Sequence, residues 1–385
     1  LLQSGSHHDK HTGKHSSKHA SKDSSKHEHN HEHSNQSSPF LFSLEFVRQI
    51  QGVNLGGWFV PEVWMNRDFY EGTGLGWGGS LCRLTNTSRA LAEKRMAQQL
   101  AHWITEKDFQ QIATIGFNSV RLPVGYWNVM HDPYYMYAPS SLSLSLQYID
   151  FAFHMAAAYN LTVLLDLHGA PGSQNGIDHS GCSVPPTWMT QTNLHLTLQA
   201  LEQMVKRYGN HPSLLGIELL NEPGRQYSDE HHAELVQFYA EAYKLIRKVN
   251  KRCLVVFNEL YEVNFNKYKQ DLQEPAFYNV AMDVHLYHWQ EPYTMMSQER
   301  HVRDAVNWAG MLEAFSSMFP LLVGEWSMST GTHVQAGQPF VSACVKSFSQ
   351  TAGWYIWNWK VQRDLNFDEW DVQYQYTLPR GLRPL

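Results

Sequence analysis

From residue 50 onward, short apolar runs rich in β-branched residues alternate with longer stretches whose apolar positions recur at helical spacing. The runs number eight, at 52–55, 119–124, 162–168, 215–222, 253–259, 281–287, 321–326 and 353–359. Between them, segments such as 105–115 and 146–158 place apolar residues on one helical face. Strands separated by helix-length connections form parallel sheets with crossover helices. Eight such units in the ~335 residues that follow position 50 fit one α/β domain, a (β/α)8 TIM barrel with loop insertions.

The pattern is absent before residue 40. Residues 1–39 carry nine His, five Lys and only three apolar residues (Leu1, Leu2, Ala20), and the first aromatic of the chain is Phe40. Such a segment cannot bury enough apolar surface to offset its ordering entropy, so 1–39 is expected to be a disordered His/Lys/Ser-rich arm and 40–385 the (β/α)8 domain. Within the arm, lysines recur every four residues from Lys10 to Lys26, four of the five followed by His and Lys22 by Asp23, a solvated pattern with at most weak transition-metal capture. The chain starts at Leu1 without a methionine, which fits a trimmed product.

Composition narrows the function classes. The formal charge is −6 with 30 Lys and Arg in 385 residues, and the basic residues of the folded part form no cluster. No nucleic-acid partner is therefore expected. No run reaches the ~18 apolar residues of a membrane span, and a monomer is expected. The triplets at Asn35, Asn86 and Asn160 match the N-glycosylation pattern and favour a secreted, extracellular or cell-wall protein. Cys82, Cys182, Cys253 and Cys344 lack metal-site spacing. Cys82, after the first strand, and Cys182, after the third, fall on the same end of a barrel and are the pairing to test.

Polar residues gather where the apolar runs stop. Arg121, His168, Asn221, Glu222, Asn258, Glu259, His285, Tyr287, Glu325 and Trp359 lie at or near the C-terminal ends of seven of the eight strands. In a barrel those ends converge on the face where active sites are built. No His-x-His ends the first strand, as a barrel metal site would need, and no phosphate-binding glycine motif follows any strand. No cofactor and no metal are expected. Carboxylates and aromatics remain, and glycoside cleavage uses that set: an acid for the leaving oxygen, a second carboxylate, and ring faces against which sugars pack.

Two of these segments, 217–223 (IELLNEP) and 322–326 (LVGEW), resemble the acid/base and nucleophile signatures of glycoside hydrolase family five, of clan A. The segments 51–64 and 166–181, with the ending 357–360, are similar to the fungal exo-β-1,3-glucanase branch, and the likeness covers about 48–375. The resemblance implies Glu222 as acid/base and Glu325 as nucleophile of a retaining hydrolase of β-glucan or β-glucosides. It implies that Arg121 and Tyr287 hold Glu325, that Asn221 binds the sugar 2-hydroxyl, and that His168 and His285 orient the acid/base and hydroxyls. Trp359 would floor the sugar subsite, and Glu62 and Asp178 would bind hydroxyls of the nonreducing glucose. The second Asn-Glu pair, at 258–259, lacks the following proline. Where the branch has NGFDNSG, this chain has Asn175-Gly-Ile-Asp-His-Ser-Gly181, so Ile177 replaces an aromatic and His179 an asparagine; Trp289 would supply the remaining side of an aromatic clamp. Within the class, a β-glucosidase, an endo-β-1,4- or β-1,6-glucanase and a transglycosylase are the alternatives. A non-catalytic carbohydrate-binding barrel would lack one catalytic carboxylate.

Overall fold

The computed structural model describes residues 49–132, 141–224, 228–259, 268, 271–272, 276–290, 292–317, 320–331, 337–365 and 367–377. The expected disordered arm at 1–39 lies outside the described residues, as does the boundary at 40. Strands β1 (Ile50–Asn54), β2 (Ser119–Gly125), β3 (Thr162–Gly169), β4 (Leu214–Glu218), β5 (Leu254–Asn258), β6 (Val280–Leu286), β7 (Leu321–Trp326) and β8 (Gly353–Ile356) pair in chain order, all parallel. β8 returns to β1 with Ile50 opposite Gly353, which closes the barrel. Helices including Glu106–Ile115, Ser141–Ala158, Gln191–Tyr208, Asp229–Val249, Gln298–Ser316 and Gly337–Phe348 form the outer layer.

Local chemistry sets the helix limits. Thr105 caps Glu106–Ile115 in a reciprocal box with Asp108, whose Oδ2 accepts from Thr105 N at 2.7 Å, and Gly116 ends the helix at φ 115°. Asp229–Val249 opens with Asp229 and Glu230 and closes with Arg247 and Lys248, charges that complement the helix dipole.

Alternation along the strands divides the interior into layers. Outward residues such as Val53, Val120, Val163, Ile217, Val255, Met282 and Val323 join helix residues in the main core. Inward residues at the lower end, Ile50, Leu164, Val256, Ala281, Leu322 and Tyr355, form a separate apolar plug. Gly52 makes room for that plug, because a Cβ there would lie 2.2 Å from the Tyr355 ring. Further along the strands, the inward positions of six of them turn polar: Asn54, Arg121, Asp166, Glu218, Asn258 and Asp283, all buried. A period of two thus carries each strand from an apolar base to a polar mouth.

Two strands end earlier than their apolar runs suggest. β4 stops at Glu218 and β8 at Ile356. Beyond β4 the chain is still tethered, with Leu219 N donating to Val256 O and Asn221 N to Leu167 O, both at 3.0 Å. Leu219 and Leu220 are completely buried, so their apolarity reflects packing rather than strand pairing. A disulfide joins Cys82 to Cys182, while Cys253 and Cys344 are free and buried.

Candidate active site

Arg121 is the hub of the polar layer. Its five N–H donors are all used: Nε and Nη2 grip Glu218 at 2.7 and 3.0 Å, Nη1 reaches Asn54 at 3.0 and Glu325 at 2.9 Å, and Nη2 also reaches Asn221 at 2.8 Å. Asp166 Oδ2 lies 3.1 Å from Nη2. Burial opposes the charge on this guanidinium, but Asp166, Glu218 and Glu325 hold its pKa well up. The same burial pushes the Asp166 and Glu218 carboxyls above their ordinary values against the pull of Arg121.

Glu325, on β7, accepts from Arg121 at Oε1 and from the Tyr287 hydroxyl at Oε2 (2.6 Å). The Tyr287 phenol is kept protonated by burial and by the neighbouring Glu325 charge, so it remains a donor. Gly324 lets β7 pass the Asp283 carboxylate, whose Oδ1 accepts from Gly324 N at 2.5 Å; a Cβ at 324 would lie 1.9 Å from Oδ2.

Glu222 follows β4 at φ +40°, a left-handed conformation uncommon outside glycine. Its Oε1 lies 2.6 Å from His285 Nδ1 and its Oε2 3.2 Å from His179 Nε2. Burial disfavours a charge on His285, but Glu325, Asp283 and Glu222 outweigh it and raise its pKa well above the ordinary value. Side-chain atoms of Glu222, His285 and Glu325 lie within 4.8 Å of one another. The two glutamates therefore face each other with different partners, one tied to a guanidinium and a phenol, the other to two imidazoles.

His168 pairs through Nδ1 with Asp166 Oδ2 at 2.7 Å and stacks on Trp357 at 5.6 Å and 10°. Burial and Arg121 lower its pKa to about 3, so it is a neutral hydrogen-bonding group. Glu62 is buried, its Oε2 accepting from Trp64 Nε1 at 2.7 Å; Oε1 has no hydrogen-bond partner among the described residues. Burial and Asp178 raise the Glu62 pKa well above the ordinary range. Glu62, Asp178 and His179 approach within 4.8 Å, so the loops after β1 and β3 meet at one edge of the mouth. The Cys82–Cys182 bridge ties the same two loops.

One assignment is corrected. Trp359 does not floor the site: it is completely buried in the main core, where its Nε1 donates to Asp108 Oδ1 at 2.9 Å. Trp357 takes the place beside His168, in a small cluster with Met65 and Val361 against which Trp64, Tyr287, Phe367 and Trp370 pack. Trp289 stands 42% exposed on the rim, 6.2 Å from Trp370. Asp166, Glu218, Asp283, Asn54, His179 and Trp357 are the site residues that sequence reasoning missed. The inward parity of Arg121 extended to the other strands would have exposed the three acids.

A barrel with two facing carboxyls, one fixed by an arginine and one held by imidazoles, and with aromatic rings at its mouth belongs to the class of barrel glycosidases. The model of the cellulase family, glycosyl hydrolase family 5, matches residues 84–363. A glucan 1,3-beta-glucosidase of Pichia angusta is 30% identical over 84% of this chain and 84% of that protein. One from Blumeria graminis is 28% identical over 85% of each. Among solved structures, the rutinosidase of Aspergillus niger superposes with a TM-score of 0.73 at 20% identity, over 82% of this chain and 90% of that one. The chain belongs to glycosyl hydrolase family 5 and is a glycoside hydrolase.

Proposed function

We propose that the protein is a retaining, exo-acting glucosidase that removes glucose from β-1,3-glucan, with Glu325 as nucleophile and Glu222 as acid/base. The observation that carries this reading is the close approach of two carboxyls with unlike partners, their oxygens within 4.8 Å. Retaining enzymes hold the pair ~5 Å apart, whereas inverting ones leave room for water between them. Arg121 and Tyr287 fix Glu325 for attack at the anomeric carbon, while Glu222 gives its proton to the leaving oxygen. The glycosyl ester removes the negative charge of Glu325, and Glu222 then takes a proton from the water that cleaves the ester. The Asn221 amide oxygen accepts from Arg121, which leaves its Nδ2 donors to take the sugar 2-hydroxyl.

The β-1,3 linkage is supported by the relatives named glucan 1,3-beta-glucosidase. A secretory route is supported by the Cys82–Cys182 disulfide and by the exposure of Asn86 and Asn160 in their acceptor triplets. NMR of the first product should show the β-anomer. Glu325→Gln should abolish turnover. Glu222→Gln should slow laminaribiose cleavage ~10²–10⁴-fold while sparing glycosylation by dinitrophenyl glucoside, whose leaving group needs no acid. An α-anomer would remove the nucleophile role from Glu325.

A further inference from the structure

The ladder between β3 and β4 ends at Asp166 and Glu218, short of the acid/base, so the backbone that carries Glu222 needs other partners. Pro223 follows with no N–H of its own. The amide hydrogens of this segment find main-chain acceptors, Leu219 N on Val256 O and Asn221 N on Leu167 O. Its carbonyls find two side chains of the loop after β3. Gln174 Nε2 donates to the Asn221 carbonyl at 3.0 Å and to the His168 carbonyl at 2.7 Å, and Asn175 Nδ2 donates to the Glu222 carbonyl at 3.1 Å.

Each of these amides has one possible orientation. Gln174 Oε1 accepts from Ala170 N at 3.1 Å, and Asn175 Oδ1 accepts from Ile177 N at 3.0 Å. A backbone N–H only donates and a carbonyl only accepts, so turning either amide over would set like groups against each other at every one of these contacts. Both side chains are buried, and the loop that bears them is itself held in place. Gly176 N donates to Ser173 Oγ at 2.8 Å, a Cβ at Gly176 would lie 2.7 Å from Val184 O, and Cys182 ties the loop to Cys82. A fixed donor thus faces the carbonyl of a glutamate at φ +40°, a conformation that persists only where the surroundings impose it.

We propose that Asn175 is a positioning residue for the acid/base: its Nδ2 holds the Glu222 carbonyl and so keeps the left-handed turn that brings the Glu222 carboxyl up to Glu325. This rests on the assignment of Glu222 as acid/base. Gln174 holds the preceding peptide, so the Glu222 carbonyl depends on Asn175 in particular. With that donor gone, the Glu222 backbone relaxes toward commoner dihedral angles and its carboxyl moves with it. Glu325, on β7, keeps Arg121 and Tyr287. The damage falls on proton delivery to the leaving group and spares nucleophilic attack. Asn175 Nδ2 also lies 2.7 Å from His179 Nε2, a second route to Glu222 that the test must separate.

The test compares kcat/KM on laminaribiose and on dinitrophenyl glucoside for wild type, Asn175→Ser, Asn175→Ala and His179→Ala, with melting temperatures alongside. Serine keeps a hydroxyl to accept from Ile177 N, which preserves the turn of the loop, but it is too short to reach the Glu222 carbonyl. Asn175→Ser should lose about tenfold or more on laminaribiose, a part of the ~10²–10⁴ that acid assistance supplies, and stay within about threefold of wild type on dinitrophenyl glucoside. Asn175→Ala should show the same split; if it does not fold, the serine variant decides alone. His179→Ala should retain more laminaribiose activity than Asn175→Ser. A loss in Asn175→Ser that is equal on the two substrates, or no loss on either, overturns the proposal. So does a His179→Ala variant that reproduces the whole split, because Asn175 would then act through the imidazole and not through the carbonyl. Glu222→Gln, run in parallel, keeps the two readings apart: equal losses there would sink the acid/base assignment itself, whatever the Asn175 variants do.

Discussion

Trp357 and Trp359 stand two residues apart, yet their surroundings differ. Trp357 lies flat against His168 and borders Tyr287, whereas the Trp359 indole sits among core residues and donates to Asp108, which Lys360 and Gln373 also contact. Trp357→Ala should reduce kcat/KM on laminari-oligosaccharides at least tenfold while shifting the melting temperature little. Trp359→Ala should instead lower stability by about 3–5 kcal/mol, because it opens a large cavity and removes a donor from a buried carboxylate. Chemical denaturation with parallel kinetics separates the two, and a stable but inactive Trp359→Ala would return that residue to the site. The sequence offers little to tell these tryptophans apart, since both follow a β-rich run at the same parity. What separates them is the end of β8 at Ile356, and ladder ends leave only a weak trace in apolar patterning. The approach of His179 to Glu222 is likewise invisible in a linear reading, because the two residues, far apart in the chain, meet beside Asn175, which bonds to both.

At the scale of elements, much was legible, and the reason is physical. Strands buried on both faces must be apolar outward and, here, apolar inward only at their lower end, so each run marks a strand and each polar interruption marks the mouth. Where packing made a segment apolar beyond the ladder, as at Leu219 and Leu220, the strand was read too long. Loops gave less signal, and their fixation rests on specific bonds. The Cys82–Cys182 bridge spans 100 residues and clamps the loops that carry Glu62, Asp178 and His179. Replacing both cysteines with serine should cost about 2–4 kcal/mol of stability and raise KM; unchanged melting and KM would show that the loops hold without it. Behind the loop after β6, His288 stacks on Tyr293 at 4.1 Å and meets His301 Nδ1 at 3.1 Å. Burial and His301 lower the His288 pKa to about 4. The unfolded chain therefore binds a proton between pH 6.5 and 4 that the folded chain refuses, so stability must fall as pH drops through that window, by up to ~1.4 kcal/mol per pH unit. His288→Phe should flatten the melting-temperature profile there. The opposite trend from His285 and from the raised carboxyls is common to both proteins and drops out of the difference. Parallel profiles would refute the buried, neutral His288.

For the whole molecule the open question is where a polysaccharide enters and where it must stop. Glu62 and Asp178 stand at one edge of the barrel mouth, on the loops after β1 and β3, and Trp64, which donates to Glu62, packs on Phe367 and Trp370 of the aromatic rim. Glu62 is buried, burial and Asp178 raise its pKa well above the ordinary range, and its Oε1 has no hydrogen-bond partner among the described residues. Such a group is satisfied by the hydroxyls of a terminal sugar. A chain continuing past that edge would cover the buried Glu62 without pairing its Oε1, at a cost of about 1–3 kcal/mol for that group left unsatisfied. The substrate should therefore present its nonreducing end here. Glu62→Ala and Asp178→Ala should each lower kcat/KM on laminari-oligosaccharides about 10–100-fold, with losses in both kcat and KM. Wild-type digestion of laminarin should release glucose from the first minutes, with no fragments of intermediate length. Early accumulation of tri- to pentasaccharides would mean that the polymer passes over this edge; the two-glutamate chemistry would stand, but Glu62 and Asp178 would no longer define the end of the site.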